Sequence, residues 1–236
     1  MRPASPCALA VLAAWLVSSS GAGRTETVAA GADARRADAP TRAARAPAFA
    51  CTLVLGVAVT SEWFGAGFER VVENGRWEAI TRPHTSMADW SDAGNPVWSL
   101  PPVSPCPSGA GDPDRVLFTG MSWDYTTSGQ WVASLTAVVG IIRARFPHVR
   151  RIELLTMVRA PRNSSCGNSM SVVAPFIDEA ILAITRRYPD LVRAAPRFEV
   201  ARCDLFKKGG PHFTEEGSAS VAQMIAAHYA HDAAPN

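Results

Sequence analysis

The sequence lacks the features that mark several common protein classes. Its 236 residues carry a formal net charge of only +2 with no clustered basic stretch, which argues against nucleic-acid binding. It has no Cys-x-x-Cys motif and no close histidine pair, so we predict neither a metal site nor a cofactor. No repeat with a period of about 20 to 50 residues is visible, which argues against solenoids and propellers.

The chain also lacks an N-terminal apolar run long enough to anchor it stably in a membrane. The run at 8–17 is too short for that. It follows Arg2 and precedes small residues at 18–23, a pattern typical of a secretory signal peptide over 1–23. Ala, Arg and Pro dominate 24–47, which predicts a disordered linker. We therefore expect export, with a retained N-terminal anchor as the alternative.

The segment after the linker has the composition of one globular domain, predicted over 48–232. Apolar residues make up 47% of the chain and charged residues 19%, enough to bury a substantial core. Beyond a cysteine in the signal peptide, the chain contains Cys51, Cys106, Cys166 and Cys203. In an exported chain this even number predicts two disulfides, with three possible connectivities. Free buried thiols are the alternative.

Apolar runs alternate with helical patterns along this domain. The predicted strands cover 51–57, 77–81, 115–120, 151–157 and 198–202. The predicted helices cover 61–72, 128–146, 172–188 and 214–231, with a short helix within 85–98. Alternating strands and helices predict an α/β protein, a three-layer α/β/α sandwich with a five-stranded parallel sheet. Its functional site is then expected in the loops at the carboxyl ends of the strands.

The loop before the last helix carries a candidate general base, His212. Gly209, Gly210 and Pro211 precede it, and Thr214 is placed to cap the next helix. A histidine on a tight strand-to-helix loop is the arrangement that proton transfer requires. The alternative is a solvated surface-loop histidine.

Three segments of the domain resemble the conserved blocks of the SGNH (GDSL-type) hydrolases, a family of esterases, lipases and carbohydrate deacetylases. The resemblance covers roughly 50–231. The segment from His212 to Gly217 matches the continuation of the family's Asp-x-x-His motif. Residues 56–60 align with Gly-Asp-Ser-x-Thr at the end of the first strand, and the segment that begins at Gly120 aligns with Gly-x-Asn-Asp after the third.

The resemblance implies a flavodoxin-like sheet with strand order 2-1-3-4-5. In that order, Cys166 and Cys203 follow neighbouring strands, whereas Cys51 and Cys106 precede strands at the opposite edge. The implied disulfides are therefore Cys166–Cys203 and Cys51–Cys106.

The resemblance also implies a serine nucleophile, a histidine base and an oxyanion hole, but this chain departs from the family pattern. Ala58 stands at the serine position, Ser122 at the asparagine position, and Gly209 at the aspartate position. An alanine has no nucleophilic atom. We therefore expect Ser61 to replace the serine and Asp204 to orient His212.

Gly120 and Ser122, with the backbone at Ala58, are the expected oxyanion donors. The structural alternatives are a helix cap for Ser61, a turn residue for Ser122, and a turn or helix-dipole acid for Asp204. His84, in the loop after the second strand, is a candidate for the cleft or a solvated histidine. Arg159 and Arg162 are candidates for binding an anionic substrate group.

These residues are compatible with two functions from different classes. The first is an exported hydrolase of acyl or acetyl esters, with a small-molecule or glycan substrate. The second is a catalytically inactive protein of the same fold that binds a glycan or an acyl ligand. Acyl transfer to a glycan would use the same residues as the first. The sequence leaves the oligomeric state open.

Overall fold

The computed structural model describes residues 49–72, 76–108, 111–161, 166 and 170–230. The predicted signal peptide over 1–23, the linker over 24–47 and the outermost residues of the predicted domain lie outside these ranges. No helix within the described ranges is both long and apolar enough to cross a bilayer.

A five-stranded parallel sheet forms the centre of the fold, and its order 2-1-3-4-5 confirms the prediction. The strands are β1 (Thr52–Gly56), β2 (Trp77–Thr81), β3 (Arg115–Thr119), β4 (Arg151–Leu154) and β5 (Val192–Ala194). Every residue of β1 and β3 is buried, because helices cover both faces of a parallel sheet.

The helices pack in two groups on the two faces of the sheet. They are α1 (Ala58–Trp63), α2 (Glu69–Val71), α3 (Met87–Ser91), α4 (Ser128–Arg145), α5 (Met170–Arg187) and α6 (Glu215–Tyr229). A π-helical segment, Phe64–Phe68, joins α1 to α2, and these elements pack on α6. Helix α4 contacts α3 and α5. Capping boxes begin α3 at Ser86 and α4 at Thr127, which explains why these helices start there.

The first helix begins earlier than predicted. We expected it over 61–72, but α1 begins at Ala58, directly after Val57 at the end of β1. Neither Thr60 nor Ser61 is therefore a cap. The helical segment that begins at Ala58 is interrupted at Gly67, whose φ of 101° is a left-handed conformation that only glycine adopts without strain.

The fifth strand was predicted in the wrong place. The segment 198–202 is not a ladder strand; it contacts Arg159 through a single parallel bridge at Glu199. The fifth strand is Val192–Ala194, which comes after α5 and a short turn and pairs with β4. Pro196 comes soon afterwards, and because proline has no amide hydrogen the ladder cannot continue through it.

Both predicted disulfides are present in the structure. Cys51 is bonded to Cys106, and Cys166 is bonded to Cys203. Cys51 immediately precedes β1, at the side of the sheet where the strands begin, which we call the N-terminal edge. Cys203 begins the segment that leads to His212, at the C-terminal edge, where the strands end. Each bridge thus fixes a loop at one of the two edges.

Candidate active site

The imidazole of His212 contacts the first helix. Its Nδ1 lies 2.9 Å from Oε1 of Glu62, a residue 150 positions earlier in the chain. The His212 side chain is 43% exposed and that of Glu62 is 21% exposed, so the pair is accessible to a ligand without being fully solvated. A carboxylate that accepts a hydrogen bond from Nδ1 leaves Nε2 as the basic nitrogen. This is the arrangement of a general base with its orienting acid.

Glu62 also holds the backbone of the histidine loop. Its second oxygen, Oε2, accepts a hydrogen bond from the Phe213 amide at 2.9 Å. The ammonium group of Lys207 lies 3.5 Å from Oε1. One carboxylate therefore fixes both the ring of His212 and the chain direction beside it.

The histidine loop is further fixed by its own backbone. The Lys207 amide donates to the His212 carbonyl at 2.7 Å, and the Thr214 amide donates to the Leu205 carbonyl at 2.9 Å. The Thr214 hydroxyl caps α6 by accepting from the Gly217 amide at 3.1 Å. A Cβ atom at Gly217 would lie 2.0 Å from the Leu205 carbonyl oxygen, so only glycine fits there. This close approach explains the glycine that ends the His212–Gly217 motif.

We predicted that Asp204 orients His212, but the carboxylate beside Nδ1 of His212 is that of Glu62. The Asp204 side chain is 69% exposed, and its Oδ1 lies 3.2 Å from Nε of Arg202. Asp204 lies in a short 3₁₀ turn, Cys203–Leu205. The alternative interpretation of Asp204 as a turn acid describes its place in the structure.

Ala58 and Ser61 lie in the first turn of α1, at the carboxyl end of β1. The Ser61 hydroxyl donates to the Ala58 carbonyl at 2.6 Å. Ser61 directly precedes Glu62, while Ala58 and Glu62 are four residues apart and share one face of the helix. The first turn thus brings the predicted nucleophile to the same helix turn as the carboxylate that holds His212.

The segment after β3 supplies Gly120 and Ser122. Ser122 is 3% exposed, and its Oγ accepts a hydrogen bond from the Asp124 amide at 3.3 Å, as in the turn alternative. The hydroxyl hydrogen of Ser122 can still be donated to a ligand. A Cβ atom at Gly120 would lie 2.4 Å from Sδ of Met87, so this glycine lets α3 approach the segment closely.

The remaining candidates differ in their surroundings. Arg159 is paired with Asp178 at 2.5 Å, which leaves it poorly placed to bind a substrate anion. Arg162 lies outside the described residues. His84 lies on the surface in the loop after β2, with a φ of 63°.

Sequence reasoning missed Glu62. In the sequence Glu62 resembles any solvent-facing acid of an amphipathic helix, and its partner His212 is remote in sequence. The available signal was its position four residues after Ala58, which places it on the face of α1 where a nucleophilic serine would otherwise stand.

One group of residues in the described part of the chain has the spacing of a metal site. Ligand atoms of Cys51, Glu78 and Cys106 lie within 4.8 Å of one another. The two sulfur atoms are joined in a disulfide, and only a free thiolate is a metal ligand. Glu78 instead accepts a hydrogen bond from the Cys106 amide at 3.0 Å. The donor set does not fit a metal ion.

No protein-family model and no curated protein matches this sequence. Solved structures do match its fold. A protein from Streptococcus pneumonia, provisionally described as a platelet activating factor, is 11% identical with a TM-score of 0.50. That match covers 80% of this chain and 86% of the other. A carbohydrate esterase family 3 protein from Talaromyces cellulolyticus is 15% identical with a TM-score of 0.50, covering 75% of this chain and 95% of the other.

A protein from Desulfitobacterium hafniense DCB-2, provisionally described as a lipolytic protein of the G-D-S-L family, is 12% identical with a TM-score of 0.47, covering 76% of this chain and 99% of the other. At these identities the likeness concerns the fold alone. Strand order, flanking helices and the overall match agree: the chain has the α/β fold of the SGNH/GDSL-type hydrolases.

Proposed function

We propose that this protein is an exported ester hydrolase that cleaves acyl or acetyl esters with Ser61, His212 and Glu62. The observation that carries the proposal is the hydrogen bond of 2.9 Å between Nδ1 of His212 and Oε1 of Glu62. It holds an accessible imidazole in one tautomer, at the carboxyl edge of a parallel sheet where such folds bind their ligands.

In the proposed mechanism, Nε2 of His212 removes the proton from the Ser61 hydroxyl. Rotation about the Cα–Cβ bond of Ser61 first releases that hydroxyl from the Ala58 carbonyl. The serine oxygen then attacks the ester carbonyl, and Glu62 stabilises the imidazolium that forms. The imidazolium gives its proton to the departing alcohol, which leaves an acyl-serine. A water molecule, activated by the same imidazole, releases the carboxylic acid and restores the serine.

The developing oxyanion needs donors close to Ser61. The first intrahelical hydrogen bond of α1 runs from the Thr60 amide to the Val57 carbonyl, so the Ala58 amide precedes the helical ladder. We assign this amide, the backbone at Gly120 and the hydroxyl of Ser122 to the oxyanion. Removing one such donor typically costs about 10²–10³ in turnover.

The comparisons support the ester class, and the disulfides support export. One matched structure is a carbohydrate esterase, which favours a glycan ester among the possible substrates. Two disulfides are typical of chains that fold in an oxidising compartment.

Ala58 and Ser61 favour a second candidate, a protein of this fold that binds a glycan or acyl ligand without cleaving it. Ala58 removes the nucleophile from the position that the resemblance assigns to it. The Ser61 hydroxyl is already engaged with the Ala58 carbonyl. In this second candidate the Glu62–His212 pair serves to bind the ligand.

Hydrolysis of 4-nitrophenyl acetate and labelling by a serine-directed fluorophosphonate separate the two candidates. For the enzyme we expect turnover that His212→Ala lowers by about 10³-fold or more, and a label that maps to Ser61 and disappears in Ser61→Ala. Unchanged turnover in both variants would contradict the proposed mechanism. No turnover and no label, together with glycan binding weakened by His212→Ala, would establish the binding protein instead.

A further inference from the structure

A second polar site lies in a groove beside the candidate active site. The groove has a volume of about 530 Å³ and is lined by the loop after β2, by α3 and by the turn beyond it. This volume is within the usual range of about 300–1,000 Å³ for small-ligand sites. Its polar residues are Arg82, His84, Thr85, Asp89 and Asn95.

The acidic and amide groups of the groove are already occupied by one another. Oδ2 of Asp89 accepts from the Ser86 amide at 2.7 Å and lies 2.9 Å from the Ser86 hydroxyl, which donates to it. Oδ1 of Asp89 accepts from Nδ2 of Asn95 at 3.0 Å. Oδ1 of Asn95 accepts from the Val97 amide at 3.0 Å.

These bonds keep Asp89 ionised and turned towards its own helix. The hydrogen bond from the Ser86 amide is the main cause that lowers the pKa of Asp89, against the opposing effect of burial. The Ser86 hydroxyl, Asn95 and the charge of Arg82 lower this pKa further. Asp89 therefore moderates the positive charge of Arg82 without using up its hydrogen-bond donors.

The groove retains donors that lack acceptors. The Arg82 guanidinium makes no side-chain hydrogen bond or ion pair with any described residue. Both Arg82 and His84 are exposed, and both line the groove. The φ of 63° at His84 is uncommon for a residue other than glycine, and such conformations concentrate at ligand sites. A ligand that fills this groove must therefore supply acceptors.

The groove adjoins the segments that carry the candidate catalytic groups. The Arg82 amide donates to the Gly56 carbonyl at 3.3 Å, two residues before Ala58. On its other side, the Met87 amide donates to the carbonyl of Met121 at 2.7 Å, between Gly120 and Ser122. A group bound in the groove and an ester bound near Ser61 can thus belong to one molecule.

We propose that this groove is an anion-binding subsite, in which Arg82 and His84 bind a carboxylate or phosphate group carried by the substrate. This inference rests on the proposed function for its place in a reaction, but the binding itself does not require catalysis. The planar guanidinium matches either anion with two parallel hydrogen bonds. The substrate class is accordingly an ester of an acidic compound, such as an acidic glycan.

The binding is tested with the full chain by titrating acetate and, separately, inorganic phosphate at constant ionic strength. The readout is the NMR signal of the His84 ring, identified by its loss in His84→Gln. We expect a saturable shift with at least one anion, weakened tenfold or more in Arg82→Gln. The anion that saturates at lower concentration identifies the natural group as a carboxylate or a phosphate.

Arg186→Gln is the matched control, because Arg186 is an exposed arginine in the last turn of α5, a helix that packs on α4 and β5 and does not line the groove. It should titrate like the wild type. A linear, non-saturating shift with both anions, or equal affinities in wild type and Arg82→Gln, would overturn the subsite.

A second arm links the subsite to hydrolysis. Mono-4-nitrophenyl succinate is compared with its neutral methyl ester, and the wild type should favour the anionic ester by about tenfold in kcat/KM, mostly through KM. Arg82→Gln should abolish that preference, while Arg82→Lys should retain part of it. If neither ester is cleaved but the NMR titration saturates as expected, the proposed hydrolase function is wrong and the anion-binding subsite remains supported.

Discussion

Polar groups at the two edges of the sheet differ in whether they have hydrogen-bond partners. At the N-terminal edge, the buried guanidinium of Arg115 donates to the Thr52 hydroxyl at 2.9 Å and lies 3.7 Å from Glu153. Tyr229 donates to the other oxygen of Glu153 at 2.8 Å. The ring of Trp77 lies 4.7 Å from the guanidinium carbon. Every member of this network has a partner.

At the C-terminal edge, buried hydroxyls lack partners. Those of Thr60, Thr119 and Thr156 are almost inaccessible and have no hydrogen-bond partner among the described residues. Close by are the exposed groups of the candidate sites, the His212 ring and the Arg82 guanidinium. Most buried polar groups in proteins are paired, so these three hydroxyls depart from the usual pattern, whereas the Arg115 network conforms to it.

This difference indicates which polar groups stabilise the fold and which are available to a ligand. A fully paired buried network rigidifies the fold but has no capacity left for a ligand. Unused donors and an accessible base are costly or neutral for the folded chain, and they become useful only when a ligand arrives. We therefore expect substitutions at the N-terminal edge to change stability, and those at the C-terminal edge to change activity.

The largest expected effect separates two acids near His212. Glu62→Gln should lower kcat/KM by roughly 10³–10⁴-fold, because the amide no longer stabilises the imidazolium or fixes the tautomer. Asp204→Asn is the matched control, since Asp204 is exposed and paired with Arg202. It should stay within about twofold of the wild type in an ester-hydrolysis assay. Equal losses in the two variants would remove Glu62 from the orienting role.

At the opposite edge, Arg115→Met should destabilise the fold by about 3–5 kcal/mol, because it leaves Glu153 buried without its cationic partner. Chemical denaturation measures this loss. The kcat/KM of the remaining folded protein should change little, since Arg115 lies at the far edge from His212. A large fall in kcat/KM with unchanged stability would contradict the division between the edges.

A smaller effect is expected for Asp114, which holds the start of β1. Its carboxylate accepts hydrogen bonds from the Ala50 and Cys51 amides, each at 3.1 Å. Burial opposes its ionisation, but the bonds from Ala50, Arg150 and Cys51 outweigh it, so the pKa of Asp114 is lowered from its usual 3.8. Asp114→Asn should cost about 2 kcal/mol near neutral pH.

The pH dependence of that cost is set by the direction of the shift. A carboxyl group with a lowered folded-state pKa stabilises the fold above its unfolded-state pKa, and this contribution is lost as the pH falls through the folded-state pKa. Urea denaturation of wild type and Asp114→Asn should therefore give a constant difference between about pH 5 and 7 that shrinks below about pH 4. A difference that grows on acidification would contradict this assignment.

Most of the fold could be predicted because its signals are local. Continuous apolar runs marked β1 and β3, and the resemblance ordered the strands and cysteines. The fifth strand was misplaced because Val192–Ala194 has only three residues and includes Arg193. Its identity depends on pairing with β4, where the Ile152 amide donates to the Leu191 carbonyl at 2.9 Å.

The site was less predictable than the fold because its decisive contact is not local. His212 could be identified from its Gly- and Pro-bounded loop, which is a property of neighbouring residues. Glu62 acquires its role only when the chain end folds onto α1, and nothing in its own segment marks that event. Asp204 was closer in sequence to His212, but its backbone turn directs it to Arg202.

The smallest expected effects come from a matched pair of threonines, one at each edge. Thr52→Val removes the acceptor of the hydrogen bond from the buried Arg115 Nε, which should cost about 1–3 kcal/mol. Thr119→Val replaces a buried hydroxyl without a described partner by a methyl group of the same shape, so stability should be unchanged or rise by up to about 1 kcal/mol. Thermal and urea unfolding of the two variants give the comparison. If both lose stability equally, the Thr119 hydroxyl has a partner after all, and the contrast between the two edges is weaker than their geometry indicates.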